Sequence, residues 1–192
     1  MSHLTTVAVS LLPGVVPGDT NPDRWHRAVM SLFASVPELQ QGNRREELEI
    51  LWRLEPDGSV LVRSATAPTN LPRSARTRPE ADAGIAPGVR VLFRITVNAV
   101  RRRDAKLGGG TFPVEDVETW LAERLAPGLG ELAVFSHDRE VGMCRKRRLT
   151  VQRDLVDGTA LVEDPEALDR LLRHGVGRAK AFGCGLLTVV PA

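Results

Sequence analysis

The chain has 192 residues, of which 42% are hydrophobic, and its 26 lysine and arginine residues nearly balance 24 aspartate and glutamate residues. This length allows one domain or two small ones, and the apolar content is enough for a packed core. Two cysteines exclude a disulfide framework, no histidine and cysteine cluster has zinc spacing, and no apolar run reaches membrane-spanning length. We therefore expect a cytoplasmic protein with no obligatory metal or cofactor.

The first half of the chain predicts a strand, a helix and a hairpin. Asn21 followed by Pro22 is typical of a helix start, because asparagine caps exposed backbone N–H groups and proline suits the first helical position. Glu55-Pro56-Asp57-Gly58 is a turn signal between two apolar runs. The elements expected here are a strand over Leu4–Leu11, a helix running to Ala34, hairpin strands over Glu47–Leu54 and Ser59–Ala65, and a weak helix or an ordered loop over Leu71–Ala86.

The second half predicts the order β-α-β-β-α-β, which is that of a ferredoxin-like domain. A glycine within the long third strand predicts a bulge near Asp157-Gly158. Because the first half begins in the same order, we predict an α+β protein of two ferredoxin-like domains, residues 1–88 and 89–192. The pattern leaves open whether Val89–Val100 closes the first domain or opens the second. The remaining expected elements are helices over Val114–Leu125 and Pro165–His174, and strands over Glu131–Phe135, Arg148–Val162 and Gly185–Val190.

A glycine-rich segment, residues 175–185, separates the last predicted helix from the last predicted strand. Four glycines leave backbone N–H groups unscreened beside two cations, which suits a phosphate chain. The alternative is a connection that reverses the chain. The segment follows a helix and lacks Gly-Lys-Ser/Thr, so it is neither a Walker P-loop nor a dinucleotide fingerprint. Its glycines and cations are Gly175, Gly177, Arg178, Lys180, Gly183 and Gly185.

Cations also cluster in two short runs, although the net charge is nearly balanced. We expect both runs on loops. Either run alone is compatible with a solvated loop, but segregated positive runs are typical of a local nucleic-acid footprint. All but three of the 26 cations are arginine, whose planar fork matches phosphate oxygens. The two runs are Arg101-Arg102-Arg103 with Lys106, and Arg145-Lys146-Arg147-Arg148.

With these elements placed, the chain resembles the CasE family, the CRISPR repeat-processing endoribonucleases of the type I-E Cascade complex. Four segments carry the resemblance, and they occur in the family's order over nearly the full chain. The most specific is the glycine-rich segment with the strand that follows it, residues 175–191. The other three are Asn21–Arg27, with His26 expected in the first turn of the first helix, Val91–Asn98, and Trp120-Leu121.

The resemblance implies tandem ferredoxin-like domains that bind the hairpin of a CRISPR repeat and cut once at its 3′ base without metal. It also implies that the protein retains its product and joins the other Cascade subunits; alone, we expect a monomer. The family's catalytic histidine maps to His26. Metal-free cleavage needs a base for the 2′-hydroxyl proton, and histidine titrates in the useful range.

One departure from the family concerns the second catalytic group. Relatives often carry tyrosine three residues before the histidine, whereas this chain has Asp23 there and contains no tyrosine. A carboxylate repels phosphate, so we expect Asp23 to cap the helix instead. Arg27 is the candidate for stabilising charge in the transition state.

Three functions remain possible on these grounds. The first is a site-specific endoribonuclease, the second a non-catalytic subunit that binds repeat RNA on the same fold, and the third a scaffold whose basic runs contact protein. The residues predicted to contact RNA are Arg101, Arg102, Arg103, Lys106, Arg145, Lys146, Arg147, Arg148, Gly177, Arg178, Lys180, Gly183 and Gly185.

Overall fold

The structure, a computed structural model, describes residues 2–33, 44–80, 83–102 and 109–192. Two four-stranded antiparallel sheets follow one another along the chain, and each packs against its own apolar core. Numbered within each unit, both sheets have the strand order 4-1-3-2 of a ferredoxin-like domain. The predicted α+β class is confirmed. No helix in the described ranges is long and apolar enough to cross a membrane.

The first unit is built on α1, whose start agrees with the sequence prediction. Asn21 caps the helix, since its Oδ1 accepts from the backbone N–H groups of Asp23 at 3.0 Å and Arg24 at 3.4 Å. The apolar side of α1 buries Trp25 and Val29 in the first core. The elements are β1 (Ser2–Ala8), α1 (Pro22–Ser31), a one-turn helix α2 (Arg44–Glu47), β2 (Leu51–Leu54), β3 (Ser59–Ser64) and β4 (Arg76–Glu80).

The strand β4 corrects the prediction of a weak helix or an ordered loop over Leu71–Ala86. It pairs antiparallel with β1, from Ser2 opposite Glu80 to Thr6 opposite Arg76. Four of its five residues are exposed, because it lies at the edge of the sheet. An edge strand with no buried face has no apolar alternation, so the sequence carried no strand signal here.

The second unit contains the complete β-α-β-β-α-β order. Its first strand, β5, pairs with β9 and β10, so residues 90–97 lie in the second sheet. The division at residue 88 stays a prediction. The strand β8 is 16 residues long and extends well beyond the predicted Glu131–Phe135. The elements are β5 (Arg90–Val97), β6 (Val100–Arg102), β7 (Thr111–Pro113), α3 (Val117–Leu125), β8 (Leu129–Cys144), β9 (Leu149–Val162), α4 (Pro165–His174) and β10 (Leu187–Pro191).

The bulge predicted near Asp157-Gly158 lies on the opposite strand. The register between β8 and β9 shifts between Gly130 and Ala133, and again between Val134 and Ser136, both on β8. Gly158 has a packing role instead, because a Cβ there would lie 2.5 Å from the Phe93 ring. Gly158 in the sequence therefore indicated a place where the Phe93 ring packs closely on the backbone, and not the extra residue of a bulge.

Two buried arginines connect the two sheets. Arg53 on β2 donates to the carbonyl oxygens of Arg94 at 2.8 Å and Leu186 at 3.0 Å. Arg63 on β3 donates in the same way to Leu172 at 2.6 Å and Leu187 at 3.0 Å. Each guanidinium is also paired with a carboxylate of the first unit, Glu55 and Glu80 respectively. These contacts hold the glycine-rich segment, which precedes β10, against the first sheet.

Candidate active site

His26 is the fifth residue of α1, in the second helical turn and not in the first as predicted. It is half-buried, and its Nδ1 lies 3.0 Å from the carbonyl oxygen of Ala181 in the glycine-rich segment. A carbonyl oxygen can only accept a hydrogen bond, so Nδ1 carries the proton. In the neutral imidazole, Nε2 is then the basic nitrogen.

The carbonyl oxygen of Ala181 receives a second donor from the first sheet. Trp52 on β2 is buried, and its indole Nε1 donates to the same oxygen at 3.3 Å. Phe182 follows and meets the His26 ring edge-on, with the ring centroids 6.2 Å apart. Helix α1, strand β2 and the glycine-rich segment therefore meet at one backbone oxygen, which sets the orientation of His26.

Two of the glycines predicted to bind RNA pack closely against other parts of the protein. Gly183 has φ +86°, and a Cβ there would lie 2.8 Å from the Trp52 ring. Gly185 has φ +92°, and its Cβ would lie 2.9 Å from the carbonyl oxygen of Val176. The close approach that these glycines permit is thus an approach to protein. Contact of either with RNA stays a prediction.

The turn between β8 and β9 lies beside the start of α1. Met143 N–H donates to the carbonyl oxygen of Thr20 at 3.0 Å, which docks the end of β8 on the helix. A cavity of about 510 Å³ lies between them. It brings together cations that are far apart in the sequence: Arg24 and Arg27 from α1, and Arg145 and Lys146 from the turn.

Asp23 does not cap α1, so that prediction is wrong: Asn21 already satisfies the first backbone donors. The Asp23 carboxylate instead lies 3.8 Å from Arg27 Nη2, one helical turn on. The Arg27 side chain is 70% exposed, and an ion pair this exposed and this long is weak. Arg27 Nε also donates to the Asp23 carbonyl oxygen at 3.3 Å, so two long contacts hold this exposed guanidinium.

Lys180 is held by its own segment. Its Nζ donates to the carbonyl oxygen of His174 at 2.6 Å, at the end of α4. Burial and the neighbouring charge of Arg45 lower the pKa of Lys180. Lys180, Arg45 and Arg173 line a second cavity of about 260 Å³, whose wall also contains the carboxylates of Glu46 and Glu49.

A third cavity, of about 590 Å³, combines members of two predicted groups. Arg101 and Arg102 lie on β6, and not on a loop as predicted, while Gly177 and Arg178 come from the glycine-rich segment. Of the other predicted residues, Arg103, Lys106 and the side chain of Arg147 lie outside the described part. Arg148 is exposed and closes the β8–β9 turn with φ +50°.

Sequence reasoning missed several side chains that line these cavities. Trp120 and Arg124 are four residues apart on α3, a spacing that places them on one helix face and could have drawn attention. Arg45 belongs to an Arg-Arg pair that also went unused. Arg24, Asn98 and Trp120 lie in segments that carry the family resemblance, but nothing in those segments assigned them to a site, and no local signal marked Arg173. The missed residues are Arg24, Arg45, Asn98, Trp120, Arg124 and Arg173.

The fold and this geometry define a class, tandem ferredoxin-like proteins in which a histidine on the first helix is held by a glycine-rich segment and arginines line several surface cavities. A family model described as CRISPR associated protein matches residues 14–191. The CRISPR-associated endoribonuclease Cse3 of Thermus thermophilus is 32% identical over 199 aligned positions, which cover 89% of this chain and 90% of that protein. The chain belongs to the CasE family of CRISPR-associated proteins.

Solved structures agree with this assignment. Cse3 bound to a 19 nt RNA is 30% identical and superposes over the whole of both chains with a TM-score of 0.73. Thermus thermophilus Cse3 bound to an RNA representing a pre-cleavage complex is also 30% identical, and it superposes over 99% of both chains with a TM-score of 0.71. Cas6e from Escherichia coli str. K-12 shares the fold at 21% identity, with a TM-score of 0.70 over the whole of both chains.

Proposed function

We propose that the chain is a site-specific endoribonuclease that cuts CRISPR precursor RNA at the 3′ base of the repeat hairpin. The 2′-hydroxyl of the nucleotide before the cut attacks the adjacent phosphorus, and the products are a 2′,3′-cyclic phosphate and a 5′-hydroxyl. The observation that carries the proposal is the hydrogen bond from His26 Nδ1 to Ala181, which makes Nε2 the basic nitrogen. A relative that is 32% identical is named an endoribonuclease.

His26 has a defined part in this reaction. Nε2 accepts the proton of the 2′-hydroxyl as its oxygen bonds to phosphorus. The bond from phosphorus to the 5′ oxygen breaks, and that oxygen takes a proton from water to become the 5′-hydroxyl. The imidazolium that forms is stabilised because Nδ1–H donates to the Ala181 oxygen. Arg27 and the cations of the β8–β9 turn line one cavity on α1, where they can offset the charge that develops on the phosphorane.

The proposal extends to the protein's surroundings. Its RNA partner is the CRISPR repeat hairpin, and the chain keeps the cleaved RNA as it joins the other subunits of Cascade in the cytoplasm. The isolated chain is a monomer. Membership of the CasE family supports these statements, and co-purification of the chain with processed repeat RNA from cells tests them directly.

The first test replaces the proposed base. We expect His26→Ala to lower single-turnover cleavage of repeat RNA by roughly 10²–10⁴-fold, the range for one positioned acid or base. Repeat affinity should stay within a few-fold, because the imidazole contributes to chemistry more than to binding. The control is His3→Ala, which removes a histidine on β1 and should cut at the wild-type rate. Unchanged cleavage by His26→Ala would refute the assignment.

The second test concerns the nucleophile and the absence of a metal. Cleavage should continue in excess EDTA and yield a 2′,3′-cyclic phosphate, and a 2′-deoxy substitution at the scissile nucleotide should abolish it. Loss of cleavage on chelation, restored by Mg²⁺, would contradict the mechanism.

A non-catalytic subunit that binds repeat RNA is the second candidate. Asp23 favours it, because this carboxylate occupies the position where relatives often have tyrosine and the chain contains no tyrosine at all. The wild-type cleavage assay separates the two functions. Tight binding of the repeat without a cut would establish the binding subunit.

A further inference from the structure

The cavity that contains Trp120, which we name the Trp120 cavity, lies apart from the residues assigned to the cleavage step. Its volume is about 590 Å³, within the range that binds small organic ligands. Among the described residues that line it there is no carboxylate. The polar and aromatic side chains in its wall are Asn98, Arg101, Arg102, Thr111, Trp120, Arg124 and Arg178.

Trp120 presents a buried donor with no partner. The residue is 3% exposed, and its indole Nε1 makes no hydrogen bond within the described ranges. The other two indole N–H groups are satisfied: Trp25 donates to Asp19 at 2.6 Å, and Trp52 to Ala181. A buried polar group normally has a partner, because leaving it unpaired costs free energy. Trp120 is one of the residues that line the cavity, so a ligand bound there changes the surroundings of its indole ring.

Arg124 adds a flat cationic surface. Its Cζ lies 3.7 Å from the centroid of the Trp120 ring, and its Nη1 donates to the Trp120 carbonyl oxygen at 3.0 Å. These two contacts fix the guanidinium against the indole. About a third of the side chain is exposed, and it also contacts the exposed Glu123. The outer face of a guanidinium held in this way can stack on a nucleobase.

The charges select an anionic ligand. Arg101 and Arg102 on β6, Arg178 in the glycine-rich segment and Arg124 on α3 repel one another across the cavity. A phosphate group offsets this repulsion and accepts their N–H groups. A paired stem exposes phosphates on a convex lattice and hides its base edges in a deep groove. A concave cavity with donors and a stacking surface instead fits a nucleotide turned out of the stack.

We propose that the Trp120 cavity binds one unpaired nucleotide of the RNA. Its phosphate lies on Arg101, Arg102 and Arg178, and its base stacks on Arg124, whose other face lies on the Trp120 ring. The proposal rests on the proposed function, since RNA is the ligand. It adds a contact to single-stranded RNA flanking the hairpin.

The test uses the three indole N–H resonances of the full-length, ¹⁵N-labelled protein, with Trp120→Phe to assign Trp120. The probes are a pentauridylate single strand and the repeat hairpin without flanking nucleotides. We expect pentauridylate to shift the Trp120 resonance while Trp25 stays unchanged, and the bare hairpin to leave Trp120 in place. Arg124→Met should weaken pentauridylate binding at least tenfold, whereas Arg170→Met, an exposed arginine on α4, should change it less than twofold.

The outcomes separate this inference from the proposed function. Failure of pentauridylate to bind, binding without a shift of Trp120, or wild-type affinity in Arg124→Met would each overturn the cavity assignment. Unshifted Trp25 and Trp52 resonances in free Arg124→Met show that the variant is folded. A protein that shifts Trp120 with pentauridylate but neither binds nor cuts repeat RNA would support the cavity and refute the endoribonuclease.

Discussion

Gly183 lies two residues after the carbonyl that holds His26, and its backbone allows the segment to reach that position. At φ +86° a residue with a Cβ is strained, and the Cβ would lie 2.8 Å from the Trp52 ring. Trp52 cannot move without losing its hydrogen bond to Ala181. The geometry of the candidate base therefore depends on a glycine from the other end of the chain.

We predict that Gly183→Val lowers the free energy of unfolding by about 2–6 kcal/mol, the sum of backbone strain and overpacking. Gly18→Val is the matched control, because Gly18 has φ +81° but nothing within 4 Å of its Cβ position. The control should show only the effect of strain, about 1–3 kcal/mol. Urea denaturation measures the free energy of unfolding of both variants. Equal destabilisation of the two variants would show that contact with Trp52 is unimportant.

At the scale of elements, the turn joining β8 to β9 is placed by the length of these strands. Their pairing continues from Leu129 opposite Val162 to Cys144 opposite Leu149. This carries the turn as far as α1, where Met143 bonds to Thr20. A basic run that is compatible with a solvated loop in the sequence is thereby held next to Arg27.

Replacing Arg145 and Lys146 together by alanine should weaken repeat RNA binding mainly at low salt. For every phosphate that the variant no longer neutralises, the slope of log affinity against log salt should become shallower by roughly 0.7–0.9. Fluorescence anisotropy from low to moderate salt measures the slope, and the cleavage site should not change. Arg73→Ala with Arg170→Ala, two exposed arginines elsewhere, is the control and should keep the wild-type slope. A wild-type slope in the turn variant would make this run a solvated turn.

At the scale of the whole molecule, the two sheets are joined through buried arginines. The Arg63 guanidinium bonds to Glu80 on its own side and to two carbonyl oxygens of the second unit. Burial alone would raise the pKa of Glu80, but the hydrogen bonds and charge of Arg63 outweigh it and hold that pKa below its ordinary value. The native ion pair thus stabilises the fold above the acidic range.

Arg63→Met should lower the free energy of unfolding at pH 7 by about 3–5 kcal/mol, because it leaves a partly buried carboxylate without its cation. The wild type loses the ion-pair contribution as the pH falls through the depressed pKa of Glu80. In the variant, burial raises the pKa of Glu80, so protonation relieves the penalty. The difference in the free energy of unfolding between the wild type and Arg63→Met should therefore become smaller as the pH falls. Urea denaturation at several pH values measures this difference.

The matched control is the double variant Arg63→Met with Glu80→Gln. It removes the unpaired charge, so it should recover part of the stability that Arg63→Met removes at neutral pH. A stability difference that is constant with pH, or a double variant no more stable than Arg63→Met, would contradict the role assigned to this ion pair.

Elements with local signals could be predicted from the sequence. The Asn21-Pro22 start of α1 and the bounds of α4 agree with the structure, because capping and helical periodicity act within a few residues. The strand β4 could not be predicted, because an exposed edge strand is defined by its partner β1 and not by its own pattern.

The residues of the candidate site could likewise be predicted only in part from the sequence. His26 and the glycine-rich segment could be chosen from motifs, but the oxygen that orients the ring lies 155 residues away in the sequence. Arg101 and Arg178 share a cavity with Trp120 only because β6, α3 and the glycine-rich segment converge. Contacts between distant residues depend on how whole elements pack, and periodicity and propensity describe each element alone. Residue types and local structure therefore follow from the sequence, whereas their assembly into a site follows from the packing of the two sheets.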